Sequence, residues 1–378
     1  MLKRTSLSHF IALCCAALPS IVMASSFQRF AGFAFDNPAR LSLVKNKQIL
    51  AEGYYSSLKT RFSGTSRGGS GIANGEGNTW PFYLRYAQRI AAPVVVGLDI
   101  TTPYMAKTAY SHDSIVRFAS TYSYVNSVDV SPNIAYTPLK WLALGFGLDI
   151  MYLGFDIQNM VTTAAGPQLV TSNSSGKKTG WHAGVAAVLN PNTSVGFTYY
   201  APITNFTTSG DSSRPGVTTR WMVKGINLPA TYILGASQKI TPAWTIIGLA
   251  SYTVWSINTL HYINTAVGNI NPVFNFTNTW RFLVLNNYIF NPMFSGKFGV
   301  SYDQGPTNDV NRGIGVPTDN ALALIFGGGY QINKAINAEL NYAHVFFVKT
   351  RLRNVPTATF GTLASHADSI GMKVTWNL

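Results

Sequence analysis

Apolar and polar residues alternate along much of this chain with a period of two, the spacing at which β side chains point to opposite faces of a strand. Near the C-terminus Ile370, Met372, Val374, Trp376 and Leu378 share one face, and Gly371, Lys373, Thr375 and Asn377 share the other. Between Leu142 and Tyr152 the same parity separates Leu142, Leu144, Phe146, Leu148, Ile150 and Tyr152 from Ala143, Gly145, Gly147 and Asp149. Val94, Val96, Leu98 and Ile100 likewise stand against Gly97, Asp99 and Thr101. Tight Asn/Pro/Lys-rich breaks punctuate the pattern at Arg89 to Ala92, Pro138 to Lys140, Asn190 to Asn192, Thr241 to Ala243, Asn291 to Pro292 and Asn333 to Lys334. They recur about every fifty residues, the length of two spanning strands of ~10 residues and one long loop.

The pattern predicts strands over Ile49 to Phe62, Trp80 to Gln88, Pro93 to Thr102, Tyr124 to Tyr136, Trp141 to Phe155, Gly180 to Leu189 and Thr193 to Tyr200. It predicts further strands over Leu228 to Gln238, Ala243 to Ile257, Asn278 to Phe290, Met293 to Gln304, Asn320 to Ile332, Ala335 to Phe347 and Ser365 to Asn377. That makes about fourteen, an even number as in bacterial single-chain barrels. Long loops are expected between the pairs, among them the Gly-rich Ser63 to Asn78, Gln158 to Lys178 and Pro202 to Asn227.

Alternation alone also fits a soluble sandwich, where the apolar face meets a core. Composition separates the two. Charged residues make up 11% of the 378-residue chain and aromatics 13%, against about 25% charged in ordinary soluble domains. No apolar run approaches the ~20 residues that a spanning helix needs, so a membrane reading requires a closed barrel with no open strand edge. Trp80, Phe82, Trp141, Trp181, Trp244, Trp255 and Trp376 lie near predicted strand ends, as interfacial girdles require.

The N-terminus reads as an export signal. Lys3 and Arg4 precede the apolar stretch Phe10 to Leu18, and Val22-Met23-Ala24 supplies small residues before Ser25. Cleavage after Ala24 leaves 378 − 24 = 354 residues and removes Cys14 and Cys15, the only cysteines. A lipoprotein reading is disfavoured because Leu13, not a small residue, precedes Cys14. The expected organisation is a signal peptide over 1–24, an inner hatch over 25–46 and a barrel over 47–378. The fold class is all-β, a transmembrane antiparallel barrel of about fourteen strands whose N-terminal hatch occupies the lumen.

Phe30-Ala31-Gly32-Phe33-Ala34 followed by Asn37-Pro38-Ala39-Arg40-Leu41 resembles the N-terminal hatch of the FadL family of outer-membrane transporters for long-chain fatty acids and other hydrophobic compounds. Val130 to Tyr136, Leu144 to Leu148, Leu228-Pro229-Ala230-Thr231, Trp244, Trp255-Ser256, Gly299 to Pro306, Val316 to Asp319 and Gly327 to Tyr330 are similar to that family as well. The resemblance covers almost the whole mature chain. It implies a plugged barrel, an outer hydrophobic groove, an inner ligand pocket and exit through a gap in the wall. Phe33, Asn37, Pro38 and Ala39 carry the hatch motif. Only Ala34, Phe35 and Asp36 separate Phe33 from Asn37, so this plug is short for the family.

Several residues are candidates for ligand contact. Lys297 and Arg85 have lumen-facing parity and would meet a carboxylate head, or pair with Glu339, Asp99 or Asp149. Arg281 lies where both faces look apolar, so its direction is not readable. Fatty-acid members place basic residues in the inner pocket, whereas Tyr152 to Asn159 has none, which favours an uncharged ligand or a carboxylate met elsewhere. Pro103 to Ser120, with Tyr104, Ile115 and Phe118, would either fold over the mouth as an amphipathic lid or form a solvated loop.

Catalysis has no support in the sequence. His112-Asp113-Ser114 is consecutive, and a triad is a spatial arrangement. The other mature histidines, His182, His261, His344 and His366, lack metal-ligand spacing, and no cofactor motif occurs. The net charge of +14 becomes +12 once Lys3 and Arg4 are removed. No basic stripe interleaved with aromatics points to nucleic acid; Lys177, Lys178, Arg214, Arg220, Lys224, Lys349, Arg351 and Arg353 suit outer-membrane lipid or lipopolysaccharide instead. The expected protein is a monomeric, passive outer-membrane transporter of hydrophobic small molecules, with a diffusion porin for polar or anionic solutes as the alternative and a surface adhesin as a third reading.

Overall fold

The computed structural model describes residues 36–258, 262–265, 268–270, 275–316 and 319–378. The expected signal peptide and the first part of the hatch, with Phe33, lie outside the described residues. The chain runs through a short 3-10 helix (Pro38–Leu43), then β1 (Lys47–Ser66), β2 (Gly69–Thr79), β3 (Phe82–Ala91), β4 (Val94–Thr101), β5 (Ala106–Tyr110), β6 (Tyr122–Leu139), β7 (Leu142–Thr163) and β8 (Gly166–Asn190). It continues through β9 (Thr193–Tyr200), β10 (Ile203–Arg214), β11 (Val217–Leu228), β12 (Thr231–Lys239), β13 (Trp244–Thr253), β14 (Tyr262–Thr265) and β15 (Gly268–Ile270). The last strands are β16 (Thr279–Ile289), β17 (Phe294–Asp303), β18 (Ala321–Gln331), β19 (Ile336–Phe347), β20 (Thr350–Asn354) and β21 (Thr359–Asn377).

All the strand pairs are antiparallel, and at one end of the molecule they close a ring of fourteen: β1, β3, β4, β6, β7, β8, β9, β12, β13, β16, β17, β18, β19 and β21, which returns to β1. Closure leaves no edge for lipid to expose. The six sequence breaks are the tight turns at this end, and Lys47 N–H donates to the Leu378 carbonyl, so the chain enters and leaves the wall beside them.

Inside and outside follow the sequence parity. Leu144, Phe146, Leu148, Ile370 and Met372 are exposed on the outer surface, while Ala143, Gly147 and Asp149 are buried. Trp80, Trp141, Trp181 and Trp376 are exposed as girdle residues should be, but Trp255 is only 2% exposed and packs inside the lumen. Its assignment to the girdle is corrected on that ground.

The stretches expected as long loops are largely strand. Ser63 to Asn78 holds the tip of the β1–β2 hairpin, with Ser66 opposite Gly69. Gln158 to Lys178 belongs to the β7–β8 hairpin and Pro202 to Asn227 to β10–β11. These extensions are largely polar on the outer face because they stand clear of lipid, while Phe206, Trp221 and Val223 of β10 and β11 are buried inside, so no lipid-type alternation betrays them. Main-chain pairing holds them. Pro103 to Ser120 is neither lid nor solvated loop throughout: it contributes β5 and then a tight turn in which Arg117 N–H bonds the Ser114 carbonyl and Ala119 N–H the Val116 carbonyl.

Candidate functional site

The wall is interrupted between its second and third spanning strands. β3 pairs with β4 up to Tyr83 opposite Thr101, and pairing resumes only at Glu76 opposite Ala109, between β2 and β5. Seven residues separate Glu76 from Tyr83 and eight separate Thr101 from Ala109, so the third strand carries one extra residue and bulges. Extending the β3–β4 register sets Pro81 opposite Pro103, and neither has an N–H to offer a ladder. Side-chain hydroxyls replace the missing bonds. Thr102 Oγ1 accepts from Phe82 N–H at 3.0 Å on one side, and Ser127 Oγ accepts from Tyr104 N–H at 2.7 Å while donating to the Tyr104 carbonyl at 2.9 Å on the other. The result is an inward kink, Thr102 to Met105, flanking an unzipped seam just beyond Leu84 and Leu98 of the lipid-facing surface.

An apolar cluster fills the lumen behind the kink. Tyr104 packs there with Met151, Leu153, Phe155 and Ile157 of β7 and with Trp221, Val223 and Ile226 of β11, and Trp221 and Trp255 are both 2% exposed. Full burial of such a side chain stabilises by roughly 1.5–3 kcal/mol. Along β7 the inward positions change from Ala143, Gly145, Gly147 and Asp149 to Met151, Leu153, Phe155 and Ile157. That inversion is written in the sequence, and it marks where the bore turns from polar to oily.

Below the cluster, the segment from Asp36 to Asn46 is docked on the inner wall. Asn37 caps the 3-10 helix, its Oδ1 accepting from Ala39 N–H at 2.9 Å, and its Nδ2 donates to the carbonyls of Val185 at 2.9 Å and Phe197 at 3.2 Å. Pro38 follows with its φ preset, and Ala39 and Leu41 are wholly buried. Glycines make the docking surface: a Cβ on Gly145 would overlap the Ala39 backbone, and one on Gly184 would overlap Asn37 Oδ1. Arg89 gathers the carbonyls of Ser42 at 2.7 Å and Val44 at 2.8 Å. Burial by itself pushes the Asp36 carboxyl toward a higher pKa, but Arg40 and Arg85 beside it and the Asn37 N–H outweigh this and hold its pKa below the usual carboxylate range.

The sequence candidates do not converge. Tyr104 lies in the apolar cluster, whereas Ile115 and Phe118 pack on a second cluster formed by Phe62, Tyr110, Val116, Leu352 and Leu363. Arg85 is bidentate to Asp99, at 2.8 and 2.7 Å, and lies 3.0 Å from Asp36, so it fastens the docked segment to the wall. Lys297 donates to Glu339, whose other oxygen is 3.5 Å from Lys373, and the register sets Lys373 beside Glu52. This charge ladder lines the lumen toward the tight-turn end. Arg281 points inward, buried and opposite Asp303, with Trp280 and Phe282 outward. Thr102, Ser127, Trp221 and Trp255 carry the geometry of the site and were not singled out for it; the two prolines on neighbouring strands were the available signal.

A closed barrel with a docked inner segment, an oily lumen and a seam toward lipid defines a membrane-embedded transport protein. The family model described as outer membrane protein transport protein (OMPP1/FadL/TodX) matches residues 23–376, and the chain belongs to that family of the bacterial outer membrane. It is similar to the long-chain fatty acid transport protein of Salmonella typhi, 21% identical over 359 residues that cover 84% of this chain and 82% of the relative. The protein of the same description from Escherichia coli K12 is 22% identical over 317 residues, 77% of this chain and 66% of the relative. Among solved structures, a Pseudomonas aeruginosa FadL homologue superposes with a TM-score of 0.82 at 16% identity, covering 91% of this chain and 93% of that one. The P. putida toluene transporter TodX gives 0.69 at 15% identity, covering 91% and 93%. At these identities the two structures speak for the fold alone.

Proposed function

We propose that this protein passively carries hydrophobic small molecules, long-chain fatty acids or related lipophilic compounds, across the outer membrane. Ligand is captured among the outer hairpins, passes into the apolar cluster and leaves sideways through the seam. The observation that supports this most is the abutment of the Tyr104 cluster on the Thr102 to Met105 kink, which joins an oily lumen to a break in the wall. Straight descent is disfavoured because the docked segment and the Lys297–Glu339–Lys373 ladder are polar obstacles to an apolar solute. The basic residues of the outer hairpins contact lipopolysaccharide, and the closed wall works as a monomer. The movement requires no chemistry on the ligand.

Cells lacking the gene are expected to lose growth on hydrophobic substrates and regain it with the gene restored, while the purified protein in planar bilayers conducts poorly. A wide ohmic pore with unchanged uptake would establish a diffusion porin instead. Lys297→Ala was expected from sequence to weaken fatty-acid uptake selectively. Its pairing with Glu339 changes the expectation: uptake of fatty acid and of hydrocarbon should fall alike, less than about fivefold, as for one member of a charge network. A selective loss of fatty-acid uptake would give the head-group contact back to Lys297.

A further inference from the structure

Directly behind the kink the lumen encloses a cavity of about 20 Å³, lined among others by Tyr104, Asp129, Asp149, Met151, Tyr200 and Ile203. That is room for about one water-sized group. One side is oily: Tyr104, Met151 and Ile203 belong to the apolar cluster. The other is acidic. Asp129 is 4% exposed, and its Oδ1 has no hydrogen-bond partner among the described residues.

The remaining acid oxygens are accounted for in part by close neighbours. Ser131 Oγ lies between the two carboxyl groups, 2.8 Å from Asp129 Oδ2 and 3.2 Å from Asp149 Oδ1, and His182 Nδ1 is 2.6 Å from the same Asp149 oxygen. His182 is itself held by Asn133 Oδ1 at 2.9 Å and by the ring of Tyr200 stacked at 4.5 Å. Arg85 is engaged by Asp99 and Asp36. Among the described residues, no lysine or arginine lines the cavity. A buried acceptor with no donor is costly, and a group that supplies the donor recovers that cost.

We propose that this cavity is a head-group subsite for a hydrogen-bond donor, so that the preferred ligand is an uncharged lipophilic alcohol or phenol and not a carboxylate. The hydroxyl donates to Asp129 Oδ1 while the carbon skeleton lies in the Tyr104 cluster. A carboxylate is too large for the space and would bring a negative charge against two buried acids with no lysine or arginine facing it among the described residues. An alkane leaves Asp129 without its donor. The assignment rests on the transport reading above and narrows its substrate class.

The test is equilibrium binding to the full-length protein in lipid nanodiscs, followed by the fluorescence of Trp221 and Trp255 in the cluster. 1-Tetradecanol, ionised tetradecanoate and tetradecane share one chain length and differ in the head. The alcohol is expected to bind more tightly than either of the others by about tenfold or more, the worth of one hydrogen bond to a buried acceptor that otherwise lacks a donor. Asp129→Leu should bring the alcohol-to-alkane affinity ratio close to unity. Asp129→Asn keeps one acceptor and adds an N–H donor, so the carboxylate should gain on the alcohol; this variant decides the matter if the leucine protein does not fold. Equal binding of carboxylate and alcohol by the unaltered protein, or an alcohol preference untouched in the folded variants, overturns the head-group assignment and leaves the transport reading standing. Failure of all three ligands to bind overturns both.

Discussion

Gly184→Val is expected to unseat the inner segment and open the lumen to ions. The new side chain would occupy the position of Asn37 Oδ1, and Asn37 has no freedom to retreat because three hydrogen bonds fix it, to Ala39, Val185 and Phe197. At roughly 0.5–1.5 kcal/mol each, their loss amounts to about 3 kcal/mol, more than a hundredfold in the docked-to-undocked ratio. The barrel itself should survive, since Gly184 sits mid-strand between Gly145 and Thr198 and its pairing bonds are main-chain. Single-channel conductance and entry of polar antibiotics should both rise. Gly145→Val, aimed at the Ala39 backbone, should act in the same way, and Gly97→Ala, whose Cβ would meet the end of the Leu41 side chain at 3.1 Å and the Tyr86 carbonyl at 3.3 Å, should be milder. Conductance equal to that of the parent in both valine variants would mean that this segment does not close the bore.

Ser127→Ala is expected to cut uptake of hydrophobic ligand at least about tenfold without unfolding the wall. The Ser127 hydroxyl serves both polar groups of the Tyr104 backbone, and both are buried there. Leaving a buried N–H and C=O unpaired costs about 1–3 kcal/mol each, enough to displace a kink that has no ladder of its own. Around it the ring of fourteen strands keeps its pairs, so heat-modifiable migration on gels should persist. Thr102→Val, which removes the Phe82 contact on the opposite flank, should give a smaller loss. Uptake equal to the parent at matched amounts in the membrane would sink the role of the kink.

The barrel was legible because lipid enforces a strict rule. Where a strand crosses the bilayer, every second residue must be apolar, and Leu142 to Tyr152 or Ile370 to Leu378 obey it. The hairpin extensions at β1–β2, β7–β8 and β10–β11 were not legible, because water on the outside removes the demand for an apolar outer face and leaves runs of Ser, Thr, Asn and Gly there. Arg281 could not be oriented from a neighbourhood apolar on both sides; in the wall Trp280 and Phe282 take the outer face, which leaves Arg281 inward and opposite Asp303 in the register. Trp255 misled because a tryptophan at a strand end looks the same whether it faces headgroups or an oily interior. The Asn37-Pro38-Ala39 step was readable as a motif, but its receptor, made by Gly145, Gly184 and Gly196 on three strands, exists only after folding.

Pro81 and Pro103, which fall opposite one another when the β3–β4 register is extended, have no amide hydrogen to offer the seam. A molecule that slips outward there meets no main-chain ladder, only the contact between Phe82 N–H and the Thr102 hydroxyl. Flux through the seam should then follow how well the cargo dissolves in the bilayer and how fluid that bilayer is, with a shallow temperature dependence set by lipid and not by any motion of the polypeptide.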